Sequence, residues 1–176
     1  MQSEITLKSP IFALYVLNDF VIVASGGGNA KFGVKNTLQC FQFSSSGISA
    51  SPVSEQQMGN DVPVYISGLP SKNIFCISVN NFSIFYSISK KGDFSEIYKI
   101  QSLPTANEDL FQSCLAVTPT MLCTGASNGN LKVFSLKFQN NDISAVDLLK
   151  ENTSAHIRTI NSIIVIPEKK ILITAS

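Results

Sequence analysis

Short apolar runs alternate with turn-forming residues along the whole chain. The runs are rich in Val, Ile, Phe and Tyr, and Gly, Asn, Ser and Pro separate them. This pattern is typical of β-strands joined by short turns. Residues 141–151 are the best helical candidate, but they fit a strand about as well. The pattern therefore predicts an all-β protein.

The predicted strands recur in a fixed order. Each unit opens with an apolar strand: 11–17, 62–69, 111–118 and 159–166. A still more apolar second strand follows, beginning near Phe20, Ile74, Met121 and Ile171. Third strands complete the first three units: 37–43, 82–89 and 130–138. The second strands begin about 50 residues apart, a spacing found between the blades of β-propellers.

The repeat predicts one domain over residues 1–176, an incomplete β-propeller with about three and a half blades of an expected seven. The predicted units are blade 1 at about 10–58, blade 2 at about 62–103, blade 3 at about 111–153, and the start of blade 4 at about 159–176. Residues 44–57 are Ser-rich and predict a loose outer strand or loop of blade 1. Residues 5–7 are a candidate outer strand for the last blade. We expect the chain to be the N-terminal part of something longer.

The third unit carries the clearest likeness to a known repeat. Residues 121–134 resemble the core of a WD-repeat blade. Asn128 and Gly129 stand where that class usually has Asp-Gly, a tight hairpin turn. Phe134 takes the position of the usual tryptophan, and the chain has no tryptophan. The loop at His156 resembles the histidine-bearing loop before a blade's first strand, so we interpret His156 as a structural hydrogen-bonding residue.

Composition excludes several classes of function. Of 176 residues, 14% are charged, the formal net charge is +1 and no basic run is present. We therefore expect no nucleic-acid partner and no attraction to anionic membranes. No apolar stretch approaches the roughly 18–20 residues of a membrane span. The four cysteines lie in apolar runs without a Cys-x-x-Cys pair, which favours buried thiols. The sequence contains neither a paired-carboxylate motif nor the signature of an activated nucleophile, so it does not predict an enzyme.

The connection at residues 24–36 is the most informative segment. It joins two apolar strands, whereas a hairpin normally needs about two to five residues. It opens with three glycines and contains two lysines and two asparagines. A phosphate-binding loop is excluded because Val34 and Lys35 follow Gly33 and a strand comes next. A dinucleotide fingerprint fails because Lys31 breaks its glycine spacing. Two interpretations remain: a mobile hairpin tip, or a loop that a ligand holds in shape.

A cation is one ligand that could order such a loop. Hard cations prefer oxygen ligands, and a glycine-rich backbone can turn several carbonyl oxygens towards one point. A monovalent ion bound in this way would need no acidic side chain.

A resemblance to one family supports the second interpretation. Residues 10–14, followed by residues 21–36, resemble the first blade of the endoplasmic-reticulum exchange factors for the Sar-family GTPase of the COPII coat, the prolactin regulatory element-binding protein family. The family pattern is Ala, four glycines, four variable residues, then Gly-Ile-x-Asn. The chain departs from it at Ser25 and Val34. It matches at Ala24, Gly26, Gly27, Gly28, Gly33 and Asn36.

The resemblance implies a function for the loop. In that family a potassium ion holds the loop, which contacts the GTPase and helps to expel GDP. Asn36 is then the residue that promotes exchange. Asn29, Lys31 and Lys35 are then partner contacts. The expected potassium ligands are the backbone carbonyls of Ser25, Gly26, Gly27, Gly28 and Gly33.

The implied protein is a guanine nucleotide exchange factor for a Sar-type GTPase. It would act in COPII vesicle formation and ER–Golgi protein transport at the cytosolic face of the endoplasmic reticulum, and it would have no bond chemistry of its own. A membrane anchor is expected only in a longer form. The alternative is a generic WD-repeat protein-interaction scaffold without exchange activity, which would be cytoplasmic if only this fragment exists. A scaffold predicts a mobile loop that is indifferent to potassium.

Overall fold

The computed structural model consists almost entirely of antiparallel β-sheet and describes residues 4–28, 33–45, 47–104, 110–140 and 142–176. The first nine strands are β1 (Ile11–Leu17), β2 (Phe20–Ser25), β3 (Asn36–Ser44), β4 (Gly47–Ile48), β5 (Ser54–Gly59), β6 (Pro63–Leu69), β7 (Ile74–Val79), β8 (Phe82–Ile88) and β9 (Phe94–Gln101). The other six are β10 (Gln112–Val117), β11 (Met121–Ala126), β12 (Leu131–Gln139), β13 (Asp142–Asn152), β14 (Ser162–Ile166) and β15 (Ile171–Ala175). In the ranges described, no helix has the length and apolar character that crossing a membrane requires.

The strands form four sheets that follow one another along the chain. Sheet 1 contains β1–β5, with β5 pairing with β3 beside the short β4. Sheet 2 contains β6–β9, sheet 3 contains β10–β13, and sheet 4 contains β14 and β15. Apart from β5, which pairs with β3, each strand pairs with its neighbour in sequence within its sheet, as in the blades of a propeller. The predicted all-β, incomplete propeller is confirmed.

The hydrophobic core lies between consecutive sheets. Between sheets 1 and 2 it contains Ile22 and Leu38 from one side and Phe75 and Ile77 from the other. A second cluster joins sheets 2 and 3, and a third joins sheets 3 and 4. Because the inner strands are covered on both faces, every residue of β2 and of β7 is buried. This explains why the second strands of the first two units are strongly apolar.

Of three segments whose structure the sequence left open, two contribute outer strands and the third does not. The ambiguous segment 141–151 contributes the outer strand β13 and no helix among its described residues. The Ser-rich segment 44–57 contains β4 and most of β5, so its loose outer strand is present. Residues 5–7 are not in a strand, and Ile5 and Leu7 instead pack on the face of sheet 1 that points away from sheet 2.

Antiparallel order gathers one set of connections at one end of the molecule. The connections β2–β3, β7–β8 and β11–β12 all lie there, together with the three connections between sheets. We call this the loop end. Hydrogen bonds tie each turn to the connection that follows it: Ser102 N donates to Asn81 O at 2.9 Å, and His156 N donates to Gly129 O at 3.2 Å. The loop end is therefore one connected surface rather than a set of separate hairpin tips.

Candidate functional site

The base of the glycine-rich loop is closed by its own backbone. Gly26 N donates to Pro10 O at 3.0 Å, and Gly27 N donates to Val34 O at 3.3 Å. Gly28 N donates to Asn36 Oδ1 at 3.1 Å. Three successive amides therefore have acceptors inside the protein. A phosphate-binding loop needs such amides to point at its anion, so this geometry agrees with the exclusion of that class from sequence.

Asn36 is the centre of this arrangement. It begins β3, is only 1% exposed, and its amide group bonds the loop on both sides. Besides accepting from Gly28 N, it donates through Nδ2 to Gly28 O at 2.8 Å and to Gly59 O at 3.1 Å. Gly59 ends β5, so Asn36 joins the loop to the connection between sheets 1 and 2. In this conformation the Asn36 side chain holds the base of the loop, and its predicted role in exchange stays a prediction.

Two of the glycines are required by close packing. A Cβ atom built at Gly26 would overlap the side chain of Asn36 and lie 2.6 Å from its Cα. A Cβ at Gly27 would lie 2.7 Å from Val34 Cβ. Gly33 differs, because its φ of +69° favours glycine although nothing lies within 4 Å of an added Cβ. The glycines thus serve two purposes, close backbone approach at the base and a left-handed turn at the exposed side.

Ser25 replaces the first glycine of the family pattern without disturbing the loop. It is the last residue of β2, pairs with Thr37 in the sheet and is fully buried. Its hydroxyl lies 3.0 Å from the hydroxyl of Thr37. The Ser25 side chain therefore faces Thr37 on the neighbouring strand. A cross-strand hydrogen bond accommodates the departure from the family pattern.

The oxygen atoms described at the base of the loop are uncharged. Where the chain is described, no group of three His, Cys, Asp or Glu side chains could hold a metal ion. The donors present near Asn36 are uncharged carbonyl oxygens, which suit a weakly charged ion. Gly28 O already accepts from Asn36 Nδ2, and an oxygen of this kind has a second lone pair. The predicted carbonyl set therefore remains compatible with potassium.

The following part of the loop is open to solvent. Gly33, Val34 and Lys35 are all exposed, and with Gln57 and Asn60 they line a shallow cavity of about 340 Å³. Lys35 is thus accessible to a partner, as its predicted contact role requires. The other two predicted partner contacts, Asn29 and Lys31, lie outside the described residues. The structure accordingly brings together an exposed Lys35 and a buried Asn36 at adjacent positions.

The loop end also exposes apolar side chains that sequence reasoning missed. Val34 is 41% exposed, Phe111 is 42% exposed and Ile157 is 99% exposed. Phe111 is bonded through its backbone to Ser127, and Ile157 follows His156, so both lie at the same end as the glycine-rich loop. An apolar residue inside a polar turn was the signal that could have identified Ile157. These side chains give the loop end apolar contact points of the kind found in protein interfaces.

His156 and the cysteines have structural surroundings. His156 Nε2 lies 2.8 Å from Thr174 Oγ1, and the His156 backbone N–H donates to Gly129 O in the β11–β12 turn. All four cysteines are buried and free. Burial raises the pKa of Cys40 to about 12 and the pKa values of Cys114 and Cys123 to about 11. Burial also raises the pKa of Cys76 well above its usual value. Such thiols stay protonated and are poor nucleophiles at neutral pH.

Comparison with known proteins identifies the architecture. No protein-family model and no curated protein sequence matches the chain. Among solved structures, Saccharomyces cerevisiae Sqt1 matches 99% of this chain with a TM-score of 0.70 and 13% identity. Chaetomium thermophilum Sqt1 matches 95% with a TM-score of 0.66 and 18% identity. The Myceliophteria thermophila Cps50 (Swd1) β-propeller domain matches 84% with a TM-score of 0.59 and 9% identity.

The chain has the fold of a WD-repeat β-propeller. At these identities the likeness shows the fold alone. The propeller segment spans less than half of each matched structure, 45%, 42% and 42% in the order given. One of the matched structures is Chaetomium thermophilum Sqt1 bound to the N-terminus of the ribosomal protein L10, at a TM-score of 0.67 and 18% identity, with 95% of this chain and 43% of that chain covered.

Proposed function

We propose that this propeller segment binds a protein partner through its loop end, with the glycine-rich loop as the principal contact. The observation that carries the proposal is the contrast between Asn36 and Lys35. The base of the loop is fixed by the buried Asn36 amide, whereas Gly33, Val34 and Lys35 remain exposed beside it. A loop that is ordered before binding loses less conformational entropy when a partner arrives.

The fold supports a protein-interaction role. WD-repeat propellers are the structural neighbours of this chain, and one of them, Sqt1, is seen with the N-terminus of a ribosomal protein bound. That partner belongs to Sqt1 and is not proposed here. What carries over is the class of function: a rigid sheet scaffold that presents loops to other proteins.

A second, finer proposal names the partner as a Sar-type small GTPase whose GDP release the chain promotes. The observation that favours it is the agreement between the loop motif and the geometry. Gly26 and Gly27 are needed for close approach to Asn36 and Val34, so the motif residues that resemble the exchange-factor family also build the ordered base. An incidental insertion would not require these residues.

The proposed mechanism is differential binding. An exchange factor binds the nucleotide-free GTPase more tightly than the GDP-bound form, and it speeds release by that difference. Asn36 would position the loop, while Lys35, Asn29 and Lys31 would contact the GTPase. No bond is made or broken in this chain. The proposed setting is COPII vesicle formation at the cytosolic face of the endoplasmic reticulum.

Potassium belongs to the same proposal. The carbonyls proposed to hold it are those of Ser25, Gly26, Gly27, Gly28 and Gly33. The ion would supply positive charge that holds carbonyl oxygens together against their mutual repulsion. Asn36 Nδ2 stabilises Gly28 O in the same sense by hydrogen bonding.

The test is the rate of GDP release from a Sar-type GTPase, followed with a fluorescent nucleotide in potassium buffer and in sodium buffer. We expect the chain to accelerate release, Lys35→Ala to reduce the acceleration about tenfold, and Asn36→Ala to abolish it. Lys90→Ala is the matched control, because Lys90 is an exposed lysine in the β8–β9 turn at the opposite end.

The result separates the two proposals. Binding of the GTPase without faster GDP release contradicts exchange activity and leaves a scaffold. If Lys35→Ala and Asn36→Ala both retain GTPase binding and exchange activity, the proposal that the loop is the contact is wrong. An equal effect of Lys90→Ala would show that the lysine effect is nonspecific electrostatics.

A further inference from the structure

We infer that Asp61 and Asn80 are positioning residues for the glycine-rich loop. They fix the β5–β6 connection, residues 60–62, and through it the carbonyl group of Gly59 that accepts from Asn36. Asn80 follows β7, so a residue of sheet 2 controls a loop of sheet 1. The inference rests on the proposed function only in its last step, the effect on partner binding.

Regular strand pairing does not by itself fix the position of Gly59. Asn36 pairs with Gly59 but the next residue, Thr37, pairs with Gln57, so the register between β3 and β5 shifts at this point. Gly59 also has a φ of +60°, which turns the backbone away from an extended strand. The position of the oxygen that accepts from the Asn36 amide therefore depends on the residues that follow β5.

Two hydrogen bonds hold the connection that follows Gly59. Asp61 N donates to Met58 O at 3.0 Å, which closes a tight turn over Gly59 and Asn60. Asp61 Oδ1 accepts from Asn80 Nδ2 at 2.8 Å. The first bond sets the shape of the turn, and the second ties it to the β7–β8 turn. Because Met58 is buried in the core between sheets 1 and 2, the turn is anchored on both sides.

Asn80 is itself held firmly enough to act as the anchor. Its carbonyl oxygen accepts from Gln112 N at 2.6 Å, and Gln112 is fully buried at the start of β10. Its φ of +52° is a left-handed value that asparagine tolerates better than most residues. The Asn80 backbone is therefore fixed between sheets 2 and 3, and its side chain is the part that reaches Asp61.

The connection also forms one wall of the shallow cavity beside the loop. The cavity is lined by the loop on one side and by the end of β5 with the connection on the other: Gly33, Val34, Lys35, Gln57, Gly59 and Asn60. Asn36 holds the loop side through Gly28 O, and the pair of Asp61 and Asn80 holds the connection side. Both attachments are needed to keep the cavity in one shape, so the loss of either should loosen the surface offered to a partner.

Exchange of donor and acceptor between the two positions tests the inference. Asn80→Asp sets a carboxylate against the Asp61 carboxylate, which replaces the hydrogen bond with repulsion between like charges. Asp61→Asn in the same chain restores the bond in the reverse direction, because the new amide donates to the new carboxylate. Aspartate also tolerates a left-handed backbone at position 80, so the exchange leaves the turn unstrained.

The readout is hydrogen exchange at the side-chain amide of Asn36 and at the backbone amide of Gly28, followed by NMR in the free full chain at neutral pH. Asn80→Asp should accelerate exchange at both about fivefold, and the double variant should return both to within about twofold of the wild-type rate. Exchange at the buried Ile77 amide in β7, measured in the same spectrum, should stay unchanged. That amide separates loosening of the loop from a general loss of stability.

Asn18→Asp is the matched control. Asn18 has a φ of +53° and donates from Nδ2 to Asn73 Oδ1 at 2.7 Å, so it is a turn asparagine with the same kind of bond at the opposite end of the molecule. This variant should leave both exchange rates unchanged. Asn80→Gly, which removes the donor and keeps the left-handed backbone, should accelerate both about threefold.

Three results would overturn the inference: unchanged exchange in Asn80→Asp and Asn80→Gly, a double variant that exchanges as fast as Asn80→Asp alone, or an equal effect of Asn18→Asp. These measurements need no partner, so they stand apart from the proposed function. Where the rates change as expected, Asn80→Asp should also weaken partner binding at the loop end about fivefold, and the double variant should restore it. A GTPase that does not bind the wild-type chain then contradicts the proposed partner alone.

Discussion

At the residue scale, the conformation of the loop base depends on the Asn36 side chain and on glycines that have no Cβ atom. The family pattern predicted roles for Asn36 and the glycines, but no local sequence feature indicated that Asn36 is buried. Its amide donates to Gly59 O, which lies 23 positions away in sequence and reaches Asn36 only because β5 pairs with β3. Local sequence can therefore identify such a residue without revealing whether it positions the loop or contacts the partner.

Gly26 and Gly33 should differ sharply when each is changed to alanine. A Cβ at Gly26 would overlap Asn36, so we expect Gly26→Ala to lower the free energy of unfolding by about 2–3 kcal/mol. Gly33→Ala meets only the cost of a left-handed backbone, about 1 kcal/mol. Urea denaturation of both variants measures the difference. Equal losses would show that Asn36 does not approach the backbone at Gly26.

At the element scale, the central strands were predictable and the outer strands were less so. Strands β2 and β7 are covered on both faces, so their apolar runs are unmistakable. Strand β13 exposes most of its residues, and its mixed pattern fitted a helix equally well. The partners of β5 and the packing of Ile5 and Leu7 depend on contacts between distant segments. Such contacts leave little periodic signal in a single sequence.

At the scale of the whole molecule, the repeat predicted the propeller because each sheet needs neighbours on both faces to bury its apolar residues. The surface of the loop end was not predictable, since Val34, Phe111 and Ile157 lie at the same end of the molecule only through strand order. The hydrogen bond from Asn80 to Asp61 is equally a property of the assembled sheets.

The four buried thiols report on the integrity of the whole core. Burial raises their pKa values above the usual 9.0 of a thiol, to about 12 for Cys40 and about 11 for Cys114 and Cys123. Because the unfolded thiols ionise first, their contribution to stability should be fully present below about pH 9 and should be lost as the pH rises towards 11–12. At pH 8 the folded protein should react with a disulfide reagent over hours, and the urea-unfolded protein within seconds. Rapid reaction of the folded protein would contradict a closed core.

The central claim is that Asn36 holds the base of the glycine-rich loop in one conformation. Site-resolved amide hydrogen exchange at Gly26, Gly27 and Gly28, measured by NMR, tests it most directly. The account predicts that all three amides are protected in the wild-type chain, and that Asn36→Ala abolishes protection at Gly28 and weakens it at Gly26 and Gly27. Asn128→Ala, an exposed asparagine in the β11–β12 turn, should leave all three unchanged. Exchange of the three wild-type amides at the rate of an unstructured peptide would contradict the claim.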